Sequence, residues 1–188
     1  MADLESFHFQ MAHEIGSTEF VPGLKADDVS GDVLSPDSLS AEMRGLFAGF
    51  GVRIRFIAIG NDNFMTNPLS GTWDRIDTEV TPIGFFNPQQ GISSMMVKVQ
   101  EATFTEPPTS NSKVYRIQGF MPAEALSPLL GNTIADSRVA VELEIDRSTM
   151  RLLKATFDGK VTPTDQGDTL RVVTLSKFDE PVTIEPPE

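Results

Sequence analysis

The side chains best suited to moving protons or holding a metal near neutral pH are the two histidines, His8 and His13. An odd separation along one strand sends them to opposite faces, so they are not expected to share a ligand or a substrate. Asp27, Asp28 and Asp32, near Gly31, raise the question of calcium. Their spacing fits no EF-hand loop, and carboxylates on such a strand are expected to be solvated. Glu142 and Glu144 alternate with Val141, Leu143 and Ile145, which is the pattern of a solvent face rather than of a catalytic carboxylate pair. Gly91-Ile92-Ser93-Ser94-Met95 has part of the outline of a nucleophile elbow, but it lacks the second glycine and falls inside a helical pattern. With no cysteine, thiolate catalysis, disulfides and Cys-held zinc or iron–sulfur centres are all removed, and no Walker or dinucleotide glycine motif is present. No nucleophile–base–acid set emerges. The expectation is a protein that is not an enzyme and holds no metal and no cofactor.

Charge narrows the partners. A formal net charge of -12 opposes binding to a phosphate backbone, so nucleic acid is excluded as the natural partner. It also opposes spontaneous adsorption to anionic lipid headgroups, so membrane association would need a covalent anchor or a docking partner. No run approaches the roughly eighteen apolar residues of a spanning helix. A chain of 188 residues suits one domain over 1–188.

The elements that would position any site are mostly strands. Bulky groups recur at alternate positions in Phe7, Phe9 and Met11, in Leu39, Ala41 and Met43, in Val52, Ile54 and Phe56, and in Val139, Val141, Leu143 and Ile145. Each set marks one buried face of an antiparallel strand. Asn61-Asp62-Asn63 and Asp146-Arg147-Ser148-Thr149 fall at hairpin spacing, so consecutive strands are expected to pair as a meander. Asn87-Pro88 supplies a helix start, and Ile92, Met95, Met96 and Val99 follow at i, i+3, i+4, i+7, a helix of about three turns. Pro122 to Leu126 opens a second helical pattern that continues through Pro128 to Leu129 and Leu130 and stops at Gly131; the internal proline keeps it short or kinked.

About ten strands and two short helices give an α+β fold: a strongly curved antiparallel sheet, a half-barrel, with the helices on its concave side. Such a sheet either fills its hollow with side chains or leaves an apolar cavity, and composition leaves both open. Met95 and Met96 suit a surface that repacks around variable apolar shapes, and equally suit core filling. Gly45, Gly49 and Gly51 relax a strand at a bulge or mark a turn near Phe50. Trp73 is read as either a buried structural residue or an anchor at a rim.

The order of these pieces resembles the LppX/LprG family of bacterial lipoproteins, relatives in fold of the LolA/LolB carriers. Val29-Ser30-Gly31-Asp32-Val33 is similar to that family's second strand, and Gly71-Thr72-Trp73 to the segment after its hairpin. Asn87-Pro88-Gln89-Gln90-Gly91-Ile92 resembles its helix start. Val114 to Gly119 followed by Pro122 to Leu126 looks like its strand-to-helix step, and Thr174-Leu175-Ser176-Lys177-Phe178 like its closing strand. The resemblance implies an apolar cavity that binds or transfers acylated lipids or glycolipids at the bacterial cell envelope. It further implies a signal peptide and a lipidated cysteine that anchor the protein to the membrane outside the cytoplasm. Neither is present here, so a start that replaces that segment is expected.

On this reading a monomer uses Phe7, Phe9, Met11, Val52, Ile54, Phe56, Ile92, Met95, Met96 and Val99 to line the cavity, with one lipid or glycolipid as partner. Each buried methylene stabilises by about 0.8 kcal/mol, which explains why no specific polar contact is needed. The competing reading is a cell-envelope structural or interaction module with the same sheet packed solid.

Overall fold

The computed structural model describes residues 3–21, 23–76 and 91–188, with the side chains of Phe20 and Val21 left aside. Strands β3 (Leu24–Leu34), β4 (Ser38–Phe47), β5 (Phe50–Ile59), β6 (Asp62–Thr66) and β7 (Trp73–Arg75) pair in chain order. So do β8 (Gln100–Phe104), β9 (Val114–Pro122), β10 (Arg138–Asp146), β11 (Leu152–Asp158) and β12 (Leu170–Ser176). These two meanders are joined by β1 (Ser6–Ile15), which pairs β3 on one side and β12 on the other. A short β2 (Thr18–Val21) adds to β3. Among the described residues the result is one antiparallel sheet of twelve strands that does not close, with β7 and β8 at its edges.

Two expectations are corrected here. The described residues hold twelve strands rather than about ten, because β2 and β7, of four and three residues, are too short to show an alternation. The pairing is not a single meander either. The first strand sits at the centre, between the third and the last. Phe7, Phe9 and Met11 are buried to 1% exposure or less, which a central strand allows and an edge strand does not.

The register lines the buried face up in rows. Ile117, Leu143, Ala155, Val173, Met11, Val29, Met43 and Ile54 are successive cross-strand partners over β9, β10, β11, β12, β1, β3, β4 and β5. This apolar row is unbroken across eight strands. Because side chains alternate between faces, the neighbouring residues along each strand point outward, as Arg53 and Arg55 do in the exposed positions of β5.

Helices cover the same face. The first, α1 (Ile92–Met96), buries Ile92 and Met95. A 3-10 turn (Ala123–Leu126) runs into α2 (Ser127–Leu130), with Pro128 near the start of α2, and Ala123, Ala125, Leu126, Leu129 and Leu130 join the same core as the sheet. Gly131 ends it with φ 74, a conformation that favours glycine. The expected three-turn helix is shortened: Asn87 and Pro88 lie outside the described residues, and Val99 has already left the helix because β8 begins at Gln100. The chain there runs tight against β9. A Cβ on Gly119 would lie 2.8 Å from Val99 Cγ1 and 2.6 Å from the Gln100 carbonyl oxygen.

The β4–β5 hairpin closes through Ala48 and Gly49, both with positive φ, between the paired Phe47 and Phe50. Such a two-residue turn follows the sheet's own twist. Gly49 is therefore a turn residue, whereas Gly45 permits a close approach: a Cβ there would meet the Lys25 carbonyl oxygen at 1.9 Å.

Candidate functional site

The inner face under α1 is the place where the residues expected to line a cavity come together. Phe7, Phe9, Met11, Ile92 and Met95 belong to one contiguous apolar core, with Phe56, Met96 and Val99 half-buried against it. Val52 and Ile54 are not part of that cluster. Ile54 is buried at 2% exposure and Val52 is half-buried, both nearer the end of the β4–β5 hairpin. The strands place these side chains through their alternation; α1 places Ile92 and Met95 because they are three apart and share a helical face.

Beneath α1, Ile92 and Met95 face Leu152, Ala155, Phe157, Val173 and Leu175 across a void of about 10 Å³. A space of that size admits one water at most. Ile92 and Met95 therefore pack closely on β11 and β12 at this point, and the void between them is smaller than the lipid-sized hollow that the resemblance implies. The two buried side chains of α1 cover this part of the sheet.

One feature of this face was missed by the sequence reading. Along β12 the buried positions are Arg171, Val173 and Leu175, so an arginine occupies the apolar face. Its side chain is 1% exposed and pairs with Asp165, itself 0% exposed, at 2.5 Å between Nη2 and Oδ1. Arg171 Nε donates to Thr18 Oγ1 at 2.8 Å. Asp165 also accepts from the backbone N–H groups of Val161 and Thr162, each at 2.8 Å, and from Thr162 Oγ1 at 2.7 Å. The cluster ties the β11–β12 connection to the start of β2. Among the described residues Arg171 Nη1 has no hydrogen-bond partner. The available signal was a charged residue at an apolar position of an alternating strand.

His13 is Arg171's cross-strand partner and belongs to the same network. Its Nδ1–H donates to the Asp27 carbonyl at 2.9 Å, and Nε2 accepts from Thr18 Oγ1–H at 2.8 Å while the same oxygen accepts from Arg171 Nε. That assignment leaves His13 neutral. Burial holds its pKa below the ordinary 6.5 and the Arg171 charge adds to this, against the opposing pull of the Asp27 carbonyl and of the Asp165 and Asp27 carboxylates. Burial raises the Asp165 pKa, but hydrogen bonds from Arg171 and Thr162 outweigh it and the net shift is downward.

The other candidates have local roles. His8 Nδ1 lies 2.8 Å from Asp32 Oδ1, and Gln10 donates to Asp28 at 2.9 Å. Among the described residues no three His, Asp or Glu side chains gather where a metal ion could be held. Trp73 is half-buried on the edge strand β7, with the Arg55 guanidinium 5.0 Å above its ring. No described helix is long and apolar enough to cross a membrane.

Comparison with known proteins bears on this arrangement. The model of the LppX_LprAFG lipoproteins matches residues 1–184. The fold is similar to that of LprF from Mycobacterium bovis, with a TM-score of 0.70 and 17% identity over 99% of this chain and 90% of that one. It is also similar to the lipoprotein LppX from Mycobacterium tuberculosis, with a TM-score of 0.63 and 19% identity over 97% and 91%. A LolA superfamily protein from Nitrosomonas europaea matches far more loosely, at a TM-score of 0.29 and 14% identity over 94% and 86%, and carries no weight here. The search of curated proteins found no match.

Proposed function

The chain belongs to the LppX_LprAFG lipoprotein family, and from that premise we propose that it binds and carries acylated lipids or glycolipids at the bacterial cell envelope without chemical turnover. The observation that carries this reading is the apolar row across eight strands, of which the β11–β12 part is covered by a five-residue helix held down by Ile92 and Met95. Acyl chains take the place of α1 on that row.

Magnitudes favour the exchange. Re-exposing two side chains of this kind costs about 1.5–3 kcal/mol each, and each buried methylene returns about 0.8 kcal/mol, so roughly four to eight methylenes offset the release of α1. A sixteen-carbon chain has methylenes to spare. Phe7, Phe9 and Met11 then form the floor beside Val173, with Phe56, Met96 and Val99 at its margin and Val52 and Ile54 at the hairpin end. The protein works as one lipid-binding domain and as a monomer, tethered to the membrane by a lipid anchor ahead of β1.

The close packing under α1 favours a second reading, an envelope structural or interaction module that never opens. Organic extraction of the purified protein followed by mass spectrometry, with displacement of a fluorescent fatty acyl probe, separates the two. The carrier reading requires extracted lipid or saturable displacement; neither lipid nor displacement would leave the structural module.

A further inference from the structure

We infer that Arg171 Nη1 is the polar end of the acyl site and takes a neutral acceptor oxygen, the ester or amide carbonyl that heads an acyl chain. The inference rests on the proposed lipid-binding reading and specifies its ligand chemistry.

Three observations lead to it. First, Arg171 is buried on the same face of β12 as Val173 and Leu175, and its cross-strand partner on β11 is Phe157. Val173, Leu175 and Phe157 all line the void under α1. Two residues along a strand span about 6.6 Å, so Arg171 is the next buried position beyond the β12 segment of the eight-strand row. Second, its planar fork is only partly used. Nε is committed to Thr18 and Nη2 to Asp165, while the donors on Nη1 have no acceptor among the described residues. A buried donor left this way costs free energy that any acceptor oxygen recovers.

Third, the charge is already matched. Asp165 lies against the guanidinium and is as buried as Arg171 itself. A fatty acid carboxylate added here would put a second negative charge beside a single cation in apolar surroundings, which is unfavourable. A carbonyl oxygen accepts the same hydrogen bonds without that charge. The site therefore discriminates esterified or amide-linked acyl chains from free fatty acids, with the hydrocarbon on the row of Val173 and Met11 and the carbonyl at Nη1.

The probes are methyl palmitate carrying a 13C carbonyl, palmitate and hexadecane, each titrated into the wild-type protein and into the double variant Arg171→Met with Asp165→Asn. The double substitution removes both charges together, so that neither is left buried alone, and the introduced carboxamide keeps an oxygen for the loop N–H groups. In wild type the bound ester carbonyl stretch falls below its value in liquid hexadecane, and the ester binds at least tenfold more tightly than palmitate at pH 7. In the double variant the frequency shift is lost and the ester binds no better than hexadecane, whose own affinity is unchanged. An unshifted carbonyl in wild type, as expected if only a water completes Nη1, overturns the inference while leaving lipid binding intact. An ester preference that survives in the double variant also overturns it. Failure of hexadecane and ester alike to bind defeats the lipid-binding reading as well.

Discussion

Phe9 and Gly31 are direct cross-strand partners on β1 and β3, and the Phe9 ring lies over the bare Cα of the glycine: a Cβ there would sit 3.0 Å from Phe9 Cε1 and 2.1 Å from the Ser40 carbonyl oxygen. The ring can shift, but the Ser40 backbone is held in the β4 ladder. Gly31→Ala is therefore expected to destabilise by about 1–3 kcal/mol or more through over-packing. Urea unfolding measures this directly, and a loss below about 0.5 kcal/mol, the range of ordinary surface changes, would show that the two strands are less tightly apposed.

The alternating faces of β1, β4, β5 and β10 and the proline-broken helix before Gly131 were visible in the sequence, because each is a local pattern of period two or of helix-breaking residues; the close approach at Gly31 was not. What was not legible depends on distant partners. Nothing in Ser6–Ile15 says that it will lie between β3 and β12, and the helical spacing of Ile92 to Val99 was cut short by the demand that Gln100 pair with Phe120. Arg171 stood in plain view beside Val173 and Leu175, yet a lone basic residue in a strand reads as solvent-facing until its partners Thr18 and Asp165 are known. The size of the void is a matter of ångström-scale packing that no periodicity encodes.

The Arg171–Asp165 pair should behave as a coupled unit. Arg171→Met alone leaves a buried carboxylate without its cation and is expected to cost about 3–5 kcal/mol. Adding Asp165→Asn should restore part of that loss. A double-mutant cycle by chemical denaturation checks this, and simple additivity of the two substitutions would mean that the pair is not coupled in solution.

His13 links stability to pH. Its folded pKa is below the ordinary 6.5, so the unfolded chain binds a proton that the folded protein resists. The contribution is therefore complete above the unfolded value and is lost as pH falls from 6.5 through the depressed folded value. Unfolding free energies at about pH 7.5 and about pH 5.5, one above and one below the ordinary value of 6.5, should differ more for the wild type than for His13→Gln. Equal pH slopes would indicate that His13 protonates freely in the folded state.

Loosening α1 should trade stability for affinity. Met95→Ala removes one of the two side chains that hold the helix on the sheet and is expected to destabilise the lipid-free protein by about 2–5 kcal/mol. If acyl chains displace α1, the same change raises acyl affinity, since the ligand no longer competes with Met95 for the row. Titration with a fluorescent fatty acyl probe reads both the direction and the size of the effect. An unchanged or weakened affinity would mean that α1 stays in place when lipid binds.

The most direct measurement is the contact map of a bound acyl chain. With 13C-methyl-labelled Ile, Leu, Val, Ala and Met and a saturating acyl ester, nuclear Overhauser effects are predicted from chain methylenes to Ala155, Val173 and Leu175, together with loss of the contacts that Ile92 and Met95 make to those three residues in the free protein. Acyl signals confined to the outer face, or a complex in which Ile92 and Met95 keep all their contacts to β11 and β12, would contradict the account.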